Sequence, residues 1–429
     1  MSMKIEAVTG RRVWDSRGRP TIEVDVTLAG GARGRAIAPA GASTGSGEAV
    51  DLRDGGAAQG GMDVTKTLAG LRDEIAPALL GMDAEDQSAI DGRMTALDGT
   101  PNKSRLGGNA IIATSMAVAH AAAAGACIPL WKYLAGDGRP GTLPLPEIQI
   151  FGGGAHAGRR IDIQDLMVVA VGAPDFATAL DWTADVYRAA GKLLDEQGKL
   201  AGVADEGGFW PVFDSNEEAL STLLQAIERS GHRPGEDVAI SLDIAASEFG
   251  RDGTYRLDRE NRSLDRAGMA DMLLGWVKKY PIVSIEDPLG EDDEEGLIAF
   301  TQAAGPGLQI IGDDFLVTNA DRVRHAASVG ACNAVLIKPN QAGTLTETKA
   351  ALNAARDAGY SAVVSARSGE TEDVTIVHLA VGWGVPQLKV GSFTRSERMA
   401  KWNEGLRVGE ELPTGGALPP RSSLPWGRG

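Results

Sequence analysis

Residues 281–314 read PIVSIEDPLGEDDEEGLIAFTQAAGPGLQIIGDD and contain two short apolar runs, PIVSIED (281–287) and LQIIGDD (308–314), separated by a helical stretch. Each run is almost wholly apolar until it ends in acidic residues. Near-continuous apolar character is typical of strands that are covered on both faces, as strands are in parallel sheets. The stretch therefore predicts a strand–helix–strand unit.

The same pattern recurs on both sides of this stretch. The further runs are VAISLD (238–243), AVLIK (334–338), SAVVSAR (361–367) and QLKVGS (387–392). They follow one another at the spacing of strand–helix units in a parallel sheet. Six such units in about 280 residues favour a (β/α)₈ barrel, and an open doubly wound sheet is the alternative.

The N-terminal part of the chain has a different pattern. Residues 3–9 (MKIEAVT) and 21–27 (TIEVDVT) alternate apolar and polar residues, which is typical of half-buried antiparallel strands. A third strand is predicted near 34–39, and Ala-rich helical stretches are predicted near 63–80, 85–96 and 108–124. Strands followed by helices favour an α+β domain.

A segment rich in Gly and Pro, GDGRPGTLP (136–144), is typical of a linker between domains. We therefore predict an α/β chain with an N-terminal α+β domain at 1–138 and a (β/α)₈ barrel domain at 139–415. The last residues, 416–429, are rich in Pro, Gly and Ser, so they predict a flexible or surface-draped tail.

The composition argues against several classes of protein. The 429 residues carry a formal net charge of −16, which disfavours nucleic acids and anionic membrane surfaces as partners. Two cysteines, Cys127 and Cys332, are too few for a disulfide framework or a Cys-based zinc site and favour a reducing cytosol. The longest apolar stretch, 110–124, is too weakly hydrophobic to cross a bilayer, so we expect a buried helix there. We predict a cytoplasmic protein without a nucleic-acid or membrane partner.

Three successive apolar runs end in carboxylates, at Asp243, Glu286 and Asp313. The carboxyl ends of barrel strands meet at one mouth, where active sites lie. Three anions that close repel one another by on the order of several kcal/mol at low effective dielectric. A hard divalent cation bound through oxygen would neutralise them, and Mg²⁺ is the economical choice. The alternative is that each carboxylate caps the helix that follows its strand.

Two later runs supply lysines that we expect at strand ends, Lys338 and Lys389. A lysine beside a metal cation in a dry pocket has its neutral form favoured, which suits a base that removes a proton. The alternative is that each lysine is an ion-pair partner of the carboxylates, and for Lys389 this could be the larger role.

Two further segments carry candidate site residues. In DEGG (205–208), Glu206 can donate or accept a proton where glycines let the backbone approach a ligand closely. In the segment SARSG (365–369), Arg367 and Ser368 place a guanidinium next to a hydroxyl, which suits the oxygens of a phosphate or phosphonate. The alternative for this pair is a capped helix start with a solvated arginine.

Two loops of small residues are candidate lids. They are AGASTGSGE (40–48) in the first domain and FGGGAHAGRR (151–160) in the second. Gly-rich loops of this kind can close over a ligand and exclude water. His156 lies among glycines with few packing partners, so we favour a ligand-binding role for it over a structural one.

The chain resembles the enolase family over nearly its whole length. The resemblance rests on DSRGRPT (15–21), GASTG (41–45), DLRD (51–54), PNKS (101–104), GGAHA (153–157), DEGGF (205–209), SNEEAL (215–220), LDIAASEF (242–249), SIEDPL (284–289), GDD (312–314), VTNADR (317–322), NQAGTLTET (340–348), RSGETED (367–373) and RSER (395–398). So many motifs in one order do not recur by accident. The resemblance implies an N-terminal capping domain, an enolase-type barrel that begins with antiparallel strands, Mg²⁺, and a homodimer or higher homo-oligomer.

The resemblance also assigns roles by position. It implies that Asp243, Glu286 and Asp313 hold one Mg²⁺, and that Ser43 on the first-domain loop binds a second. Lys338 would remove the proton α to a carboxylate, and Glu206 would assist the leaving group at the next carbon. Arg367 and Ser368 would hold the phosphate, and Lys389 the carboxylate, of a small phosphorylated or phosphonate three-carbon acid. Gln164 and His156 would complete the substrate-binding side of the site.

The chain departs from the family pattern at several positions around the ligand. Ala366 stands where enolases carry a histidine beside the phosphate motif, and Asp165, in QDLM, stands where they carry a glutamate. Shortening a catalytic carboxylate by one methylene, about 1.5 Å, can break a contact, because misplacement by about 1 Å can cost on the order of 100-fold. The other departures are Arg19, Ala40, Gly152 and Pro339.

These departures spare the metal ligands and the lysines, which favours retained chemistry on an altered substrate. Our leading hypothesis is therefore a specialised lyase or synthase that resembles carboxyphosphonoenolpyruvate synthase of phosphonate biosynthesis, with Ala366 leaving room for the larger group. The alternative is phosphopyruvate hydratase, which interconverts 2-phosphoglycerate and phosphoenolpyruvate. A non-catalytic scaffold and a sugar-acid dehydratase are less favoured, because the catalytic residues and the GASTG and RSGETED motifs are present.

Overall fold

The computed structural model describes residues 2–138 and 141–427. Its N-terminal part is a three-stranded antiparallel sheet followed by helices. The elements are β1 (Ile5–Trp14), β2 (Pro20–Leu28), β3 (Arg33–Ile37), α1 (Thr65–Gly70), α2 (Ala76–Leu79), α3 (Gln87–Asp98), α4 (Gly108–Gly125) and α5 (Leu130–Ala135). This is the α+β arrangement that the sequence predicts.

The Ala-rich helix α4 is the centre of this part of the core. It packs against β2 and β3 and is buried along nearly its whole length, as predicted. In the described part of the chain, no helix is both long and apolar enough to cross a bilayer. Gly34 on β3 lies against the helix backbone, since a Cβ there would be 2.1 Å from Ala121 N and 2.2 Å from Ala117 O. The contact between sheet and helix therefore requires glycine at this position.

We expect Gly34→Ala to destabilise the protein by about 2 kcal/mol or more, because the added methyl group would force the sheet and α4 apart. Gly92→Ala is the matched control, because Gly92 lies on α3 with open space where its Cβ would be. Alanine there should be neutral or stabilising by up to about 1 kcal/mol through helix propensity. Thermal unfolding of the two variants beside the parent measures the difference, and equal melting temperatures would contradict the proposed contact.

The helix predicted at 63–80 is divided into α1, a π-helical turn at Leu71–Ile75, and α2. Pro77 lies at the start of α2. Proline has no backbone N–H and its ring clashes with the preceding turn, so a continuous helix is disfavoured there.

The rest of the chain forms the barrel and its surrounding helices. The elements are β4 (Leu145–Gly152), β5 (Asp165–Val169), α6 (Phe176–Glu196), α7 (Asn216–Arg229), β6 (Ala239–Asp243), β7 (Gly250–Arg251), β8 (Thr254–Leu257), β9 (Arg262–Asp265), α8 (Arg266–Lys279), β10 (Ile282–Glu286), α9 (Glu294–Ala304), β11 (Gln309–Gly312), α10 (Ala320–Val329), β12 (Ala334–Ile337), α11 (Pro339–Ala342), α12 (Leu345–Asp357), β13 (Ser361–Ser365), α13 (Thr375–Gly382), β14 (Gln387–Ser392) and α14 (Ser396–Glu411).

Eight strands close into a barrel in the order β4-β5-β6-β10-β11-β12-β13-β14, and β14 pairs with β4. The strand β5 runs antiparallel to both neighbours, and the remaining pairs are parallel. The short strands β7, β8 and β9 form a separate antiparallel sheet. The closed barrel with its antiparallel start confirms the predicted fold and rules out the open doubly wound sheet.

The C-terminal tail lies across the amino-terminal end of the barrel. Leu424 is buried in a cluster with Leu145 and Ala239, the first residues of β4 and β6. Arg421 donates from NH2 to the carbonyl of Val171 over 2.8 Å. The described part of the predicted tail, residues 416–427, is therefore packed on the barrel surface. The predicted start of the barrel domain at residue 139 lies outside the described residues.

Candidate active site

Three strand ends bring carboxylates to the mouth of the barrel. Asp243 and Glu286 are Cα partners on the neighbouring strands β6 and β10, and Asp313 directly follows β11. All three are buried, with exposed fractions of 2%, 0% and 4%. The helices that follow β10 and β11 are capped by other residues, Asp293 and Asn319. The helix-cap alternative is therefore wrong for Glu286 and Asp313.

The turn that carries Asp313 is held by a neighbouring carboxylate. Asp287 accepts hydrogen bonds from the backbone N–H groups of Asp313 and Asp314 over 2.8 and 2.9 Å. Carboxylate oxygens of these three residues lie within 4.8 Å of one another. Burial, and then the charge of Asp313, raises the pKa of Asp314 to about 8. Because both oxygens of Asp287 are engaged by backbone, its role here is to fix the turn.

The ammonium of Lys389 lies between two of the strand-end carboxylates. Its Nζ is 2.8 Å from Asp243 Oδ2 and 2.8 Å from Glu286 Oε2. Burial disfavours the charged form, but these carboxylates outweigh it and raise the pKa of Lys389 well above its ordinary value. The ion-pair alternative for Lys389 is thus present in the structure.

Lys338 directly follows β12 and donates a hydrogen bond from Nζ to Asp313 Oδ2. Burial again disfavours the charge, but Asp313 outweighs it and raises the pKa of Lys338. The pKa of Asp313 is lowered because Lys338 more than offsets the effect of burial. The protein chain alone thus favours the charged lysine, and the expectation of a neutral lysine, which assumes a metal cation beside it, stays a prediction.

The strand-end carboxylates fit a hard divalent cation. Glu286 Oε1 is buried and has no hydrogen-bond partner among the described residues. Burial, and then the charge of Asp243, raises the pKa of Glu286 well above its ordinary value, and Asp313 adds to this. A cation held through oxygen would satisfy the unpaired atom and offset the repulsion. Asp243, Glu286 and Asp313 are the residues that would hold Mg²⁺.

A histidine links two acids on the other side of the site. His156 Nε2 is 3.2 Å from Asp165 Oδ1, and Nδ1 is 3.5 Å from Glu206 Oε1. Burial favours the neutral imidazole, but Asp165 and Glu206 outweigh it and raise the pKa of His156 well above its ordinary value. Although burial opposes its ionisation, Glu206 has its pKa lowered by the charge of His156. The three side chains therefore form a buried cluster in which both carboxylates favour the charged form of the imidazole.

Arg367 connects the barrel to the lid loop at 40–48. Its guanidinium is 3.1 Å from Glu48 Oε2, and it donates to Ser43 O over 2.9 Å and to Asn340 Oδ1 over 3.0 Å. With an exposed fraction of 4%, Arg367 is not the solvated arginine of the alternative interpretation. Ser368 Oγ donates to Glu206 Oε1 over 2.8 Å, so the two residues of the predicted phosphate motif meet different groups.

Most of the predicted residues line one small cavity of about 20 Å³ under the closed lid. They are Ser43, Gln164, Asp165, Glu206, Asp243, Lys338, Ala366, Arg367, Ser368 and Lys389. The remaining three predicted residues do not line the cavity, but each contacts a residue that does. They are His156, Glu286 and Asp313. Gln164 Nε2 donates to Asp243 Oδ2 over 3.0 Å, which places its amide on the carboxylate side of the cavity.

Several residues of the site are absent from the sequence prediction. Gln341 Nε2 donates to Asp313 Oδ1 over 2.9 Å and to Glu48 Oε1 over 3.1 Å. Gln149 donates to Asp165 Oδ1. Glu147 is fully buried, its Oε2 has no hydrogen-bond partner within the described ranges 2–138 and 141–427, and it is the Cα partner of Lys389 across β4 and β14. A charged residue inside the apolar strand LPEIQIFG is a signal that the sequence does contain.

Comparison with known proteins agrees with this geometry. Residues 5–134 match the family model of the enolase N-terminal domain, and residues 140–422 match that of the enolase C-terminal TIM barrel domain. The chain is 50% identical to a protein named Enolase 1 of Desulfitobacterium hafniense (strain Y51) over 419 residues, which cover 97% of this chain and 96% of that protein. The chain belongs to the enolase family and is an enzyme of the enolase superfamily, a carbon–oxygen lyase.

Proposed function

We propose that the protein interconverts 2-phosphoglycerate and phosphoenolpyruvate plus water. The observation that carries this proposal is that Lys338, which follows β12, and Glu206, in the loop between α6 and α7, line the same cavity as the cations Arg367 and Lys389. The name of the relative that is 50% identical supports it as well. The comparison thus favours the alternative among our sequence hypotheses over the phosphonate synthase.

In this proposal the cations of the site bind the two anionic ends of the substrate. Arg367 offers a planar guanidinium that matches phosphate oxygens, and Ser368 offers a hydroxyl beside it. Lys389 binds the carboxylate of the substrate, since its ammonium is buried beside Asp243 and Glu286. Holding both ends fixes the carbon–hydrogen bond toward the base, which is the main advantage of a preorganised site.

Lys338 removes the proton from the carbon next to the carboxylate. The resulting dianion is highly unstable in water, and Mg²⁺ held by Asp243, Glu286 and Asp313, with a second ion at Ser43, would stabilise its oxygens as a Lewis acid. Lys338 must first give up its own proton, because its pairing with Asp313 favours the charged form in the protein chain alone.

Glu206, His156 and Asp165 serve the leaving hydroxyl at the next carbon. Departure as water needs a proton, and His156 holds one between the two carboxylates. Glu206 lines the cavity, so it is the group that passes this proton on. Asp165 is held against His156 by Gln149, which compensates in part for its shorter side chain.

A second candidate is a synthase that resembles carboxyphosphonoenolpyruvate synthase. The observation that favours it is Ala366, whose methyl group lines the cavity where enolases carry an imidazole. Such an enzyme would handle an enolpyruvate that bears a phosphonoformate-type group. Incubation with phosphoenolpyruvate and phosphonoformate, followed by ³¹P NMR for a new phosphonate ester, tests this candidate directly.

The main proposal is tested by following phosphoenolpyruvate formation from 2-phosphoglycerate by absorbance with Mg²⁺ present. We expect a kcat on the order of ten per second, the usual range for enzymes. A rate below about 0.01 per second in protein that still binds Mg²⁺ by calorimetry would contradict the proposal. A new phosphonate ester in the parallel incubation would then favour the second candidate.

The proposal also includes a cytoplasmic homo-oligomer of two or more subunits. Both cysteines are free, Cys127 exposed and Cys332 buried, which is compatible with a reducing compartment. The oligomer rests on the family resemblance, and sedimentation velocity of the purified protein tests it.

A further inference from the structure

The lid loop at 40–48 is packed closely onto the barrel. A Cβ on Gly41 would lie 2.0 Å from Arg367 NH2, and a Cβ on Gly45 would lie 2.9 Å from the Asp314 backbone. Ser43, which lies between these two glycines in the sequence, lines the cavity. Because the loop belongs to the N-terminal part of the chain and the cavity to the barrel, the position of Ser43 depends on contacts between the two parts.

Inside the site, the loop is held by groups that also serve the ligand. Arg367 contacts Ser43 O and the Glu48 carboxylate, yet it is also the proposed phosphate-binding residue. A contact made by Arg367 cannot fix the lid independently of what the cavity contains.

Outside the cavity, Ser46 at the tip of the loop has all three of its polar groups bound by two barrel residues. Its backbone N–H and its Oγ each donate to Glu291 Oε2 over 2.9 Å. Its carbonyl accepts from Arg322 NH2 over 2.7 Å. One charged acceptor and one charged donor thus hold a single residue from two sides, and hydrogen bonds to charged groups are the stronger ones.

Both residues lie on fixed parts of the barrel. Glu291 follows β10 and precedes α9, and its own backbone N–H donates to Ser247 Oγ over 2.9 Å. Arg322 is in the first turn of α10, which Asn319 caps, and its NH1 donates to Phe315 O over 3.3 Å. Neither residue lines the described cavity, so neither touches the reacting atoms.

We propose that Glu291 and Arg322 are positioning residues that form an outer latch, defined as their hydrogen bonds to Ser46. The latch sets the equilibrium between the closed and the open lid and so holds Ser43 over the cavity. Substrate binds productively to the closed form, so its apparent affinity falls in proportion to the closed fraction. This last consequence rests on the proposed function, whereas the latch itself does not.

The latch is tested by amide hydrogen exchange in the segment 40–48, measured by mass spectrometry on the full-length protein. We expect Glu291→Gln and Arg322→Gln each to speed exchange there by about tenfold, because each loses a charged partner of Ser46. The matched controls are Glu295→Gln on α9 and Arg324→Gln on α10, which lie within four residues of the latch residues and pair with Arg266 and Asp321 instead. Exchange in the latch variants within twofold of the parent, with melting temperatures unchanged, would overturn the latch.

The consequence for catalysis is tested by steady-state kinetics of the same four variants. Both latch variants should raise KM for 2-phosphoglycerate, by at most the roughly tenfold change in the lid equilibrium, with kcat within about twofold of the parent, since saturating substrate recloses the lid. The controls should match the parent in both constants. Faster exchange with unchanged KM would overturn the positioning role, and a fall in kcat alone would do the same. A parent that does not turn over 2-phosphoglycerate would contradict the proposed function, while the exchange experiment would still decide on the latch.

Discussion

Replacing Lys338 by glutamine is expected to lower kcat by about a thousandfold or more with 2-phosphoglycerate as the substrate. A positioned general base contributes about 10²–10⁴ to the rate, and the buried amine of Lys338 is the group proposed to take the proton. Glutamine keeps an N–H donor for Asp313 Oδ2, the present partner of Nζ. The carboxylate is therefore not left as an unpaired buried charge, which would itself be strongly destabilising.

The measurement combines kcat with exchange of the carbon-bound hydrogen for deuterium in D₂O, followed by proton NMR. Exchange reports on the proton-abstraction step alone, so its loss separates a missing base from a damaged leaving-group side. Lys349→Gln is the matched control, because Lys349 is an exposed lysine on α12. If the Lys338 variant exchanged this hydrogen at the rate of the parent, the assignment of Lys338 as the base would fail.

The placement of the site could be predicted because it follows from the topology alone. Asp243, Glu286 and Asp313 each end an apolar run, and parallel strands that alternate with helices deliver their carboxyl ends to one mouth. The closed barrel brings them there as expected, with Asp243 and Glu286 as direct Cα partners. Strand ends are fixed by hydrophobic patterning, which a single sequence displays.

The charge state of the site could not be predicted in the same way. The pKa of Lys338 depends on which carboxylate its side chain meets, and the chain separation from Lys338 to Asp313 gives no sign of their hydrogen bond. The contact of Glu48 with Arg367 joins residues 319 positions apart in the sequence. Such contacts across domains depend on how the lid packs, and local patterns do not encode this.

The tail illustrates the same limit at the level of the fold. Pro, Gly and Ser in 416–429 are typical of a segment without long helices or strands, and its described part, residues 416–427, contains only two short 3₁₀ turns, Arg421–Ser423 and Pro425–Gly427. What its composition does not show is that Leu424 fits between Leu145 and Ala239 at the barrel floor. Which apolar side chains of such a segment become buried, here Leu424 with Leu418 and Trp426 packed beside it, depends on the shape of the surface that receives them.

Replacing Glu286 by glutamine is expected to raise the melting temperature of the metal-free protein while lowering activity by about 100-fold or more. Glu286 is fully buried, its Oε1 has no hydrogen-bond partner among the residues that the structure describes, and its pKa is raised well above the ordinary value by burial and by Asp243. Because the pKa of Glu286 is higher in the folded than in the unfolded state, the residue costs folding free energy once the pH rises above the unfolded value. Glutamine removes the charge, and its carbonyl can still accept from Lys389 while its amide donates to a neighbouring carboxylate.

The response to Mg²⁺ should reverse this order of stability. A ligand that binds only the folded state stabilises it by RT ln(1 + [L]/Kd), about 2.7 kcal/mol at one hundred times Kd. The parent should gain that stability when Mg²⁺ is titrated, and the Glu286 variant should gain little, because it has lost one of the three carboxylates that would hold the ion. Thermal unfolding with EDTA and with increasing Mg²⁺ measures both effects, and Glu228→Gln, an exposed glutamate on α7, controls for the change in net charge.

A Glu286 variant that is less stable than the parent in EDTA and still responds fully to Mg²⁺ would mean that this carboxylate stabilises the barrel and does not bind the metal. A variant that follows the expected order would show that the strand-end cluster gives up folding stability in order to bind Mg²⁺.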